Sequence, residues 1–441
     1  MVKYKRGQLL KFEEIDLSSN NQPEPLMIKN ISSINGLHPD YLLIVDNSYN
    51  NDIYVLKIFD IPLIEFKFNK DILSLNTVHI IKIHNNHKKL FPVSLMLSDD
   101  GLAIWLKRRS APRKRRNMKE LMKNMELNIN NIQSLLDISK GLSLNDAYWI
   151  CKKDKADKYD DVNLYDNFFP NDISFAAFSG LNAEFDSLSL MSPSPEFTTA
   201  GLLPKGWKKA KNDIVLFKGG INPKQDKNLE PYSEYYASQI AKRLGYRHVE
   251  YDLKEWNGIL ASTCKIFTSK DIGYIPIAYY VPSGNIGDIN EFLKKISIEN
   301  DILSNVYLDF QKMILFDALI YNKDRHFGNF GLLVNNHTME IIGLCPIFDN
   351  GASLFSYDDD FEMKDFSSLK KYAKNNCTSY YGIPFNDLVK AICTKNMIAD
   401  LEKLKNFKFV RHLKYNLSEN RLKLIEGFIR ERADELIDIL K

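Results

Sequence analysis

Short apolar runs broken by Asn, Asp, Ser and Gly fill the first hundred residues. Tyr41-Leu-Leu-Ile-Val-Asp46, Ile53-Tyr-Val-Leu-Lys-Ile-Phe59 and Val78-His-Ile-Ile-Lys-Ile83 carry the length and β-branched content of strands. The polar breaks Asp46–Asp52 and Asn85–His87 are read as hairpin turns, since Asn and Asp accept positive φ and cap their own backbone. Further on, Ile214-Val-Leu-Phe-Lys218 is an apolar strand with one charge, and Ile275-Pro-Ile-Ala-Tyr-Tyr-Val281 reads as a strand running into a hinge. From Gly287 the period changes. Leu303, Val306, Phe310, Ile314 and Ala318 recur at helical spacing within Ile302–Tyr321, ending at Asn322. Gly331-Leu-Leu-Val-Asn335 and Glu340-Ile-Ile-Gly-Leu-Cys345 then predict a β-hairpin, and residues 382–441 predict further helices. The pattern predicts an α+β chain, β-rich first and helical last.

A length of 441 residues with 44% hydrophobic and 12% aromatic content supports two or three folded domains. The expected division is a β-rich domain over 1–105, a basic linker and helix over 106–140, a middle segment over 141–281 and a helical segment over 282–441. A formal charge of +3 demands neither nucleic acid nor a membrane as partner, and no apolar run is long enough to span a bilayer. The 5 cysteines are scattered without a C-x-x-C pair, which reads as reduced thiols in a cytoplasmic protein. His79, His84 and His87 do not converge on one strand face and are read as surface and turn residues.

Chemistry concentrates in Asn322-Lys-Asp-Arg-His-Phe-Gly-Asn-Phe-Gly331 and Ile347-Phe-Asp-Asn-Gly351. A D-x-x-x-x-N loop followed by an Asp beyond a hairpin supplies what phosphoryl transfer needs. Asp324 is the candidate catalytic residue, receiving the proton of an attacking hydroxyl, and Asn329 and Asp349 are the candidate magnesium ligands. Asn322, Arg325 and His326 are read as bracing the loop. Each motif residue has a local alternative: Asp324 capping a turn, Asp349-Asn-Gly351 forming a β-turn.

The N-x-D-R-H-x-x-N-x-G motif with its later apolar-Asp step resembles the HipA-like serine/threonine kinases, which include bacterial toxin kinases of toxin-antitoxin pairs. Lipid kinases share a D-R-H-x-x-N element. Pro231-Tyr-Ser-Glu-Tyr-Tyr-Ala-Ser-Gln-Ile-Ala-Lys-Arg-Leu-Gly245, which is similar to the HipA-type helix after the lysine-bearing strand, favours the former. The resemblance covers roughly residues 140–440. It implies a bilobal protein-kinase-like fold with a mainly helical C-lobe and an extra β-rich N-terminal domain, using ATP and Mg2+. Lys218 is then expected on the α- and β-phosphates, paired with Glu234, although a snorkelling lysine and a helix-dipole glutamate explain the two separately. The hinge candidates for adenine are Tyr279 and Val281. The candidate phosphate loop is Ser192-Pro-Ser-Pro-Glu-Phe-Thr-Thr-Ala-Gly201, with Ser194 and Thr198 as nucleotide contacts. No G-x-G-x-x-G is present; HipA-like kinases also lack it, and by that resemblance Ser192 and Ser194 are candidate autophosphorylation sites. A flexible Ser-Pro turn is the plainer reading of the same residues.

The most basic stretch is Lys107–Lys119, including Arg113, Lys114, Arg115 and Arg116. It is read as a solvated linker neutralised by acids such as Asp99 and Asp100, with nucleic-acid binding as the alternative. The leading function is a Mg-ATP-dependent, autophosphorylating serine/threonine kinase acting on a protein substrate, with a toxin role and a cognate antitoxin among the implications. The alternatives are a small-molecule or lipid kinase, and a nucleotide-bound regulatory or nucleic-acid-binding protein.

Overall fold

The computed structural model describes residues 9–11, 27–30, 41–45, 52–70, 75–110, 115, 117–125, 132–181, 185, 189, 192–210, 213–221, 228–357 and 364–441. The turn expected at Asp46–Asp52, apart from Asp52, and Arg113, Lys114 and Arg116 of the basic stretch lie outside them.

β1 (Leu9–Lys11), β2 (Met27–Asn30) and β3 (Tyr41–Val45) form an antiparallel sheet in the order β1-β3-β2. β4 (Tyr54–Ile58), β5 (Ile61–Lys70), β6 (Leu75–Ile83) and β7 (Tyr148–Lys152) form a second, ordered β6-β5-β4-β7. The predicted strands at 41–46, 53–59 and 78–83 fall on β3, β4 and β6. Between β4 and β5 the turn uses Phe59 at φ 47°, with none of the Asn-Gly chemistry that marks such turns in a sequence. Asn85–His87 is not a hairpin turn. It opens a 3-10 helix, Asn85–Leu90, that leads away from the sheet edge.

The expected boundary at residues 140/141 is corrected by β7. Its Tyr148–Cys151 run is buried at every position and pairs with β4 in the register Val55↔Cys151 and Leu56↔Ile150. Such a strand buries both faces, and the sheet with its covering helices Asp99–Arg108 and Ile132–Ser139 supplies them. The first sheet-based unit therefore runs into the segment expected to begin a new domain.

β8 (Lys205–Ala210), β9 (Asp213–Lys218), β10 (Asp252–Trp256) and β11 (Ile259–Lys265) make a third antiparallel sheet, ordered β10-β11-β9-β8. Against β11 lies the helix Glu230–Leu244, which starts with Pro231 in its first turn and stops at Gly245 in the left-handed region, φ 79°. β12 (Ile272–Pro276), β13 (Gly331–Asn335) and β14 (Ile341–Leu344) form the last sheet, with β13-β14 as the predicted hairpin. The remainder is helical: Ile286–Glu299, Val306–Ile320, Phe366–Asn375, Phe385–Ile392 and Glu419–Leu440 pack around one large apolar core. All of the cysteines are free thiols, and burial raises those of Cys151, Cys264, Cys345 and Cys393. Among the described residues, no helix is long and apolar enough to cross a membrane.

Candidate active site

The helix Val306–Ile320 is apolar nearly all round, so it sits inside the core rather than on it. It ends where Tyr321 enters the left-handed region at φ 52°, which throws the chain out into the Asn322–Asn329 loop. Asn322 holds the start of that loop. Its Nδ2 donates to Asp317 Oδ1 at 3.0 Å and its Oδ1 accepts the Asp324 N–H at 3.2 Å.

Arg325 ties this loop to the distant Phe348–Asn350 segment. Its Nε and Nη2 donate to the two Asp317 oxygens at 2.9 Å each, Nη2 reaches Asn350 Oδ1 at 2.7 Å, and Nη1 reaches the Asn329 carbonyl at 3.1 Å and the Phe348 carbonyl. The side chain is 1% exposed. Burial pushes the Asp317 carboxyl up, against the pull of Arg325 and Asn322. His326 spends Nδ1 accepting the Gly328 N–H at 3.0 Å, so it braces the turn. Asn329 Nδ2 donates to the Asp324 carbonyl at 2.9 Å, which fixes the amide and leaves its oxygen as the end to offer a cation.

Across from the loop, Lys218 is the last residue of β9. Its ammonium donates to Glu234 Oε1 at 2.6 Å and to Asp349 Oδ1. Glu234 is fully buried, and its other oxygen accepts the Asn350 N–H at 2.7 Å. Asp349 stands at φ 56°, its N–H on the Tyr251 hydroxyl at 3.2 Å. Burial pulls the Lys218 pKa down, but Asp349 and Glu234 outweigh it and hold the ammonium well above its ordinary value. Burial likewise pushes Asp349 up, and Lys218 outweighs it, so the carboxyl lies well below the usual range. Asp324 differs: the residue keeps an exposed surface, yet the protein packed around its carboxyl partly desolvates it and, with Asp349 nearby, raises it against the pull of His326 and Lys218. The site thus keeps one carboxylate firmly ionised and a second one more basic.

Two oxygen donors, Asp349 and Asn329, suit a hard cation. Among the described residues no cluster of three or more His, Cys, Asp or Glu side chains exists, so no all-protein cage is present. Magnesium is commonly held by one or two protein oxygens and completed by phosphates and water, and the donor set fits that mode.

The candidate phosphate loop is more tightly built than a flexible turn. Glu196 and Arg115 form an ion pair with both side chains 0% exposed, Nη2 to Oε2 at 2.7 Å. The same guanidinium donates to the Glu196 carbonyl at 3.1 Å and the Lys205 carbonyl at 2.6 Å, while Glu196 Oε1 accepts the Trp207 N–H at 2.7 Å. Ser194 is 1% exposed and caps the short 3-10 turn Pro195–Phe197, accepting the Glu196 N–H. The Ser194 hydroxyl, expected as a nucleotide contact or phosphorylation site, is therefore enclosed here, with its oxygen accepting a backbone N–H. Ser192 is half-buried. Thr198 Oγ1 donates to the Leu142 carbonyl at 2.7 Å, and Thr198 and Tyr279 both line a cavity of about 150 Å³ with Trp105, Tyr148 and Asn336. Lys218 and Asp349 are not among its lining residues.

The strand expected to run through to Val281 is shorter. β12 stops at Pro276 and a 3-10 turn, Ile277–Tyr279, follows. The Val281 N–H is bonded to the Ile277 carbonyl at 3.0 Å and its side chain is buried, so Val281 offers no donor to adenine. The guanidinium of Arg108 lies 5.5 Å from the Tyr279 ring centroid. Neutralisation of the basic stretch also differs from expectation. Asp99 accepts from the Ile80 N–H and contacts His79, whereas Arg109 is paired bidentately with Asp146 and Arg115 with Glu196.

Sequence reading gave no site role to Asp317, Tyr251, Glu196 and Lys205, and read Arg115 as part of a solvated linker. For Lys205 a signal existed: an antiparallel hairpin turning between Ala210 and Asp213 sets Lys205 opposite Lys218. Burial and the neighbouring Lys218 pull the Lys205 ammonium down to about 7.

Over 164 residues the chain is 28% identical to the serine/threonine-protein kinase CtkA of Helicobacter pylori, covering 34% of this chain and 49% of that protein. Over that segment the chain is similar in sequence to a CtkA-type serine/threonine kinase. It spans about half the length of the curated relative it matches. Among solved structures of these kinases, the H. pylori proinflammatory kinase CtkA aligns with a TM-score of 0.43 and 20% identity over 54% of this chain and 89% of that one. HipA of Shewanella oneidensis MR-1, in complex with HipB and operator DNA, aligns with a TM-score of 0.46 and 14% identity over 87% and 99%. No protein-family model matches the chain.

Proposed function

We propose that this chain is a Mg-ATP-dependent serine/threonine protein kinase of the HipA and CtkA type. The observation that carries the proposal is the Lys218 ammonium held between Glu234 and Asp349, in the same electrostatic neighbourhood as Asp324. In this reading the β8–β11 sheet with the helix Glu230–Leu244 is the N-lobe, the helices from Ile286 onward are the C-lobe, and the sheet β4–β7 belongs to an accessory domain.

Asn329 and Asp349 would hold magnesium, which would supply positive charge to neutralise the nucleotide phosphates. Lys218 changes partners within the site: with a nucleotide present it shares its donors between Glu234 and the phosphate chain. Asp324 accepts a hydrogen bond from the acceptor hydroxyl and takes its proton. The hydroxyl oxygen gains the terminal phosphoryl group, the bond to the bridging oxygen breaks, and ADP leaves. Arg325 keeps Asn329 and Asp349 in register, and most of the rate comes from positioning and charge rather than from a strong base.

Autophosphorylation is assigned within this proposal to Ser192, since Ser194 is enclosed. A growth-inhibiting role with an antitoxin partner is the extension that the family resemblance suggests. The burial of Arg115 disfavours the nucleic-acid reading of the basic stretch. The test is incubation with γ-labelled ATP and Mg2+ beside Asp324→Ala and Asp349→Ala, with the label mapped by mass spectrometry and a panel of protein, lipid and small-molecule acceptors. Label on wild type alone, on protein, supports the proposal; absence of Mg-ATP binding by wild type sinks it.

A further inference from the structure

The segment from Cys377 to Phe385 is joined to the Asn322–Asn329 loop on both sides of Asp324. Ahead of Asp324, Tyr321, which turns the chain out of its helix, stacks on Phe385 with ring centroids 5.1 Å apart and planes at 26°. Beyond Asp324, Phe327 stacks on Tyr381 at 5.3 Å and 17°. Two ring pairs thus hold this segment against the loop that carries the candidate base.

The segment is itself a tight turn. Thr378 and Pro384 form an antiparallel bridge, the Ser379 N–H and hydroxyl both donate to the Ile383 carbonyl, at 2.9 and 2.7 Å, and the Gly382 N–H returns to the Ser379 carbonyl at 3.1 Å. Gly382 closes it in the left-handed region at φ +73°, where a side chain would be strained. At the base Phe385 is 1% exposed, and its N–H donates to the Cys377 carbonyl at 2.8 Å. At the tip Tyr380 is 49% exposed. Its ring stands across the stacked pair behind it, 6.3 Å and 85° from Phe327 and 5.8 Å and 90° from Tyr381, and its centroid is 5.9 Å from that of His326.

A single exposed tyrosine needs no explanation. This one is set apart by its place. It is backed by other rings on a hydrogen-bonded turn, so little freedom is left to lose when a partner covers it. It also adjoins His326, whose backbone N–H donates to the Asp324 carbonyl at 2.8 Å. A polypeptide that presents a hydroxyl to Asp324 has its neighbouring residues beside this ring. Tyr357, 57% exposed, is a second aromatic side chain within the electrostatic reach of Asp324, so the approach to the carboxylate is lined with ring surface. Neither Tyr380 nor the Phe327 and Tyr381 rings behind it bring a carboxylate to pair with lysine or arginine, and a ring face suits an apolar side chain that lies flat on it.

We propose that Tyr380 is an acceptor-specificity residue, its ring receiving a proline or aliphatic side chain next to the serine or threonine whose hydroxyl meets Asp324. The inference rests on the kinase reading above and deepens it by naming what the acceptor segment carries.

The test is phosphorylation of single-serine peptides by the full chain with γ-labelled ATP and Mg2+, each flanking position being varied in turn through proline, leucine, aspartate and lysine. Wild type is compared with Tyr380→Ala and Tyr380→Phe. Wild type is expected to favour proline or leucine over aspartate and lysine at one flanking position. Tyr380→Ala should lose that preference and raise KM for the best peptide about threefold to tenfold, a larger change than in kcat or in KM for ATP, and Tyr380→Phe should restore both. Thermal melts establish that each variant is folded, and Tyr380→Gln replaces the alanine variant if that one is not. A preference that survives in Tyr380→Ala overturns the proposal, as does a wild-type preference for lysine or aspartate. An equal loss on every peptide, with KM for ATP rising in step, makes Tyr380 merely structural and also overturns it. Transfer to lipid or small-molecule acceptors but to no peptide overturns the proposal and keeps a kinase, whereas a wild type that transfers phosphate to no acceptor removes the kinase reading itself.

Discussion

Glu234 and Asn350 meet across 116 positions of the chain, the carboxylate accepting the backbone N–H at 2.7 Å. Because the other oxygen of Glu234 holds Lys218, one buried carboxylate sets both the lysine and the backbone that presents Asp349. Glu234→Gln keeps the shape and removes the charge. It is expected to lower kcat/KM for ATP about tenfold to a hundredfold, since hydrogen bonds to charged groups contribute about 1.5–3 kcal/mol. Steady-state kinetics at varied ATP check this; unchanged kcat/KM would remove Glu234 from the site.

Asp324 and Asp349 should fail in different ways. Asp324→Asn leaves Mg-ATP affinity within about threefold but cuts transfer by about 10²–10⁴, the usual contribution of a general base. Asp349→Asn removes the proposed anionic metal ligand, so Mg-ATP binding itself is expected to be lost while Mg-free nucleotide binding is retained. Calorimetry paired with single-turnover labelling separates the two; identical profiles for both variants would contradict the assigned roles.

The carboxyl of Asp324 is raised by desolvation above the ordinary aspartate value of about 3.9. A base works ionised, so transfer should fall as pH drops through this raised pKa, at a higher pH than an unperturbed aspartate gives. Asp349 runs the other way. Its folded pKa is depressed, so its stabilisation is present above the unfolded value near 3.9 and disappears only as pH falls through the lower folded one. A pH–rate profile beside a pH–stability curve should show activity lost first on acidification, with the fold intact.

Arg325 is a structural hub rather than a reacting group. Arg325→Met leaves Asp317 buried without its partner and should cost about 3–5 kcal/mol of stability. Urea unfolding measures this; a shift under about 1 kcal/mol would mean that the Asp317 contact is dispensable.

Arg115 offers a test of what the basic stretch does. Arg115→Ala strands the Glu196 carboxylate and should destabilise by about 3–5 kcal/mol, whereas Arg115→Met with Glu196→Leu should come near neutral. The double variant, folded but without that ion pair, is expected to raise KM for ATP more than it lowers kcat. A salt-dependent loss of DNA or RNA retention in that variant would instead support the nucleic-acid alternative.

The amino-acid sequence by itself determined the local elements and the chemical inventory. Period-2 and period-3.6 apolar spacing located β4, β9, the β13-β14 hairpin and the helix Val306–Ile320, because those periods report which faces must leave water. The candidate set Asp324, Asn329 and Asp349 could be proposed from the chain alone, since that loop and hairpin spacing is local. What lay beyond it is set by segments far apart in the chain. Nothing in Ser192–Gly201 says that Arg115, 81 residues earlier than Glu196, enters it and pairs with that carboxylate. Tyr148–Lys152 does not announce that β4 is its partner, and a 3-10 turn after Pro276 takes up the Val281 amide that a simple strand would have left free. Burial, ion pairing and the resulting charge states depend on what covers a side chain, and only the tertiary structure decides that.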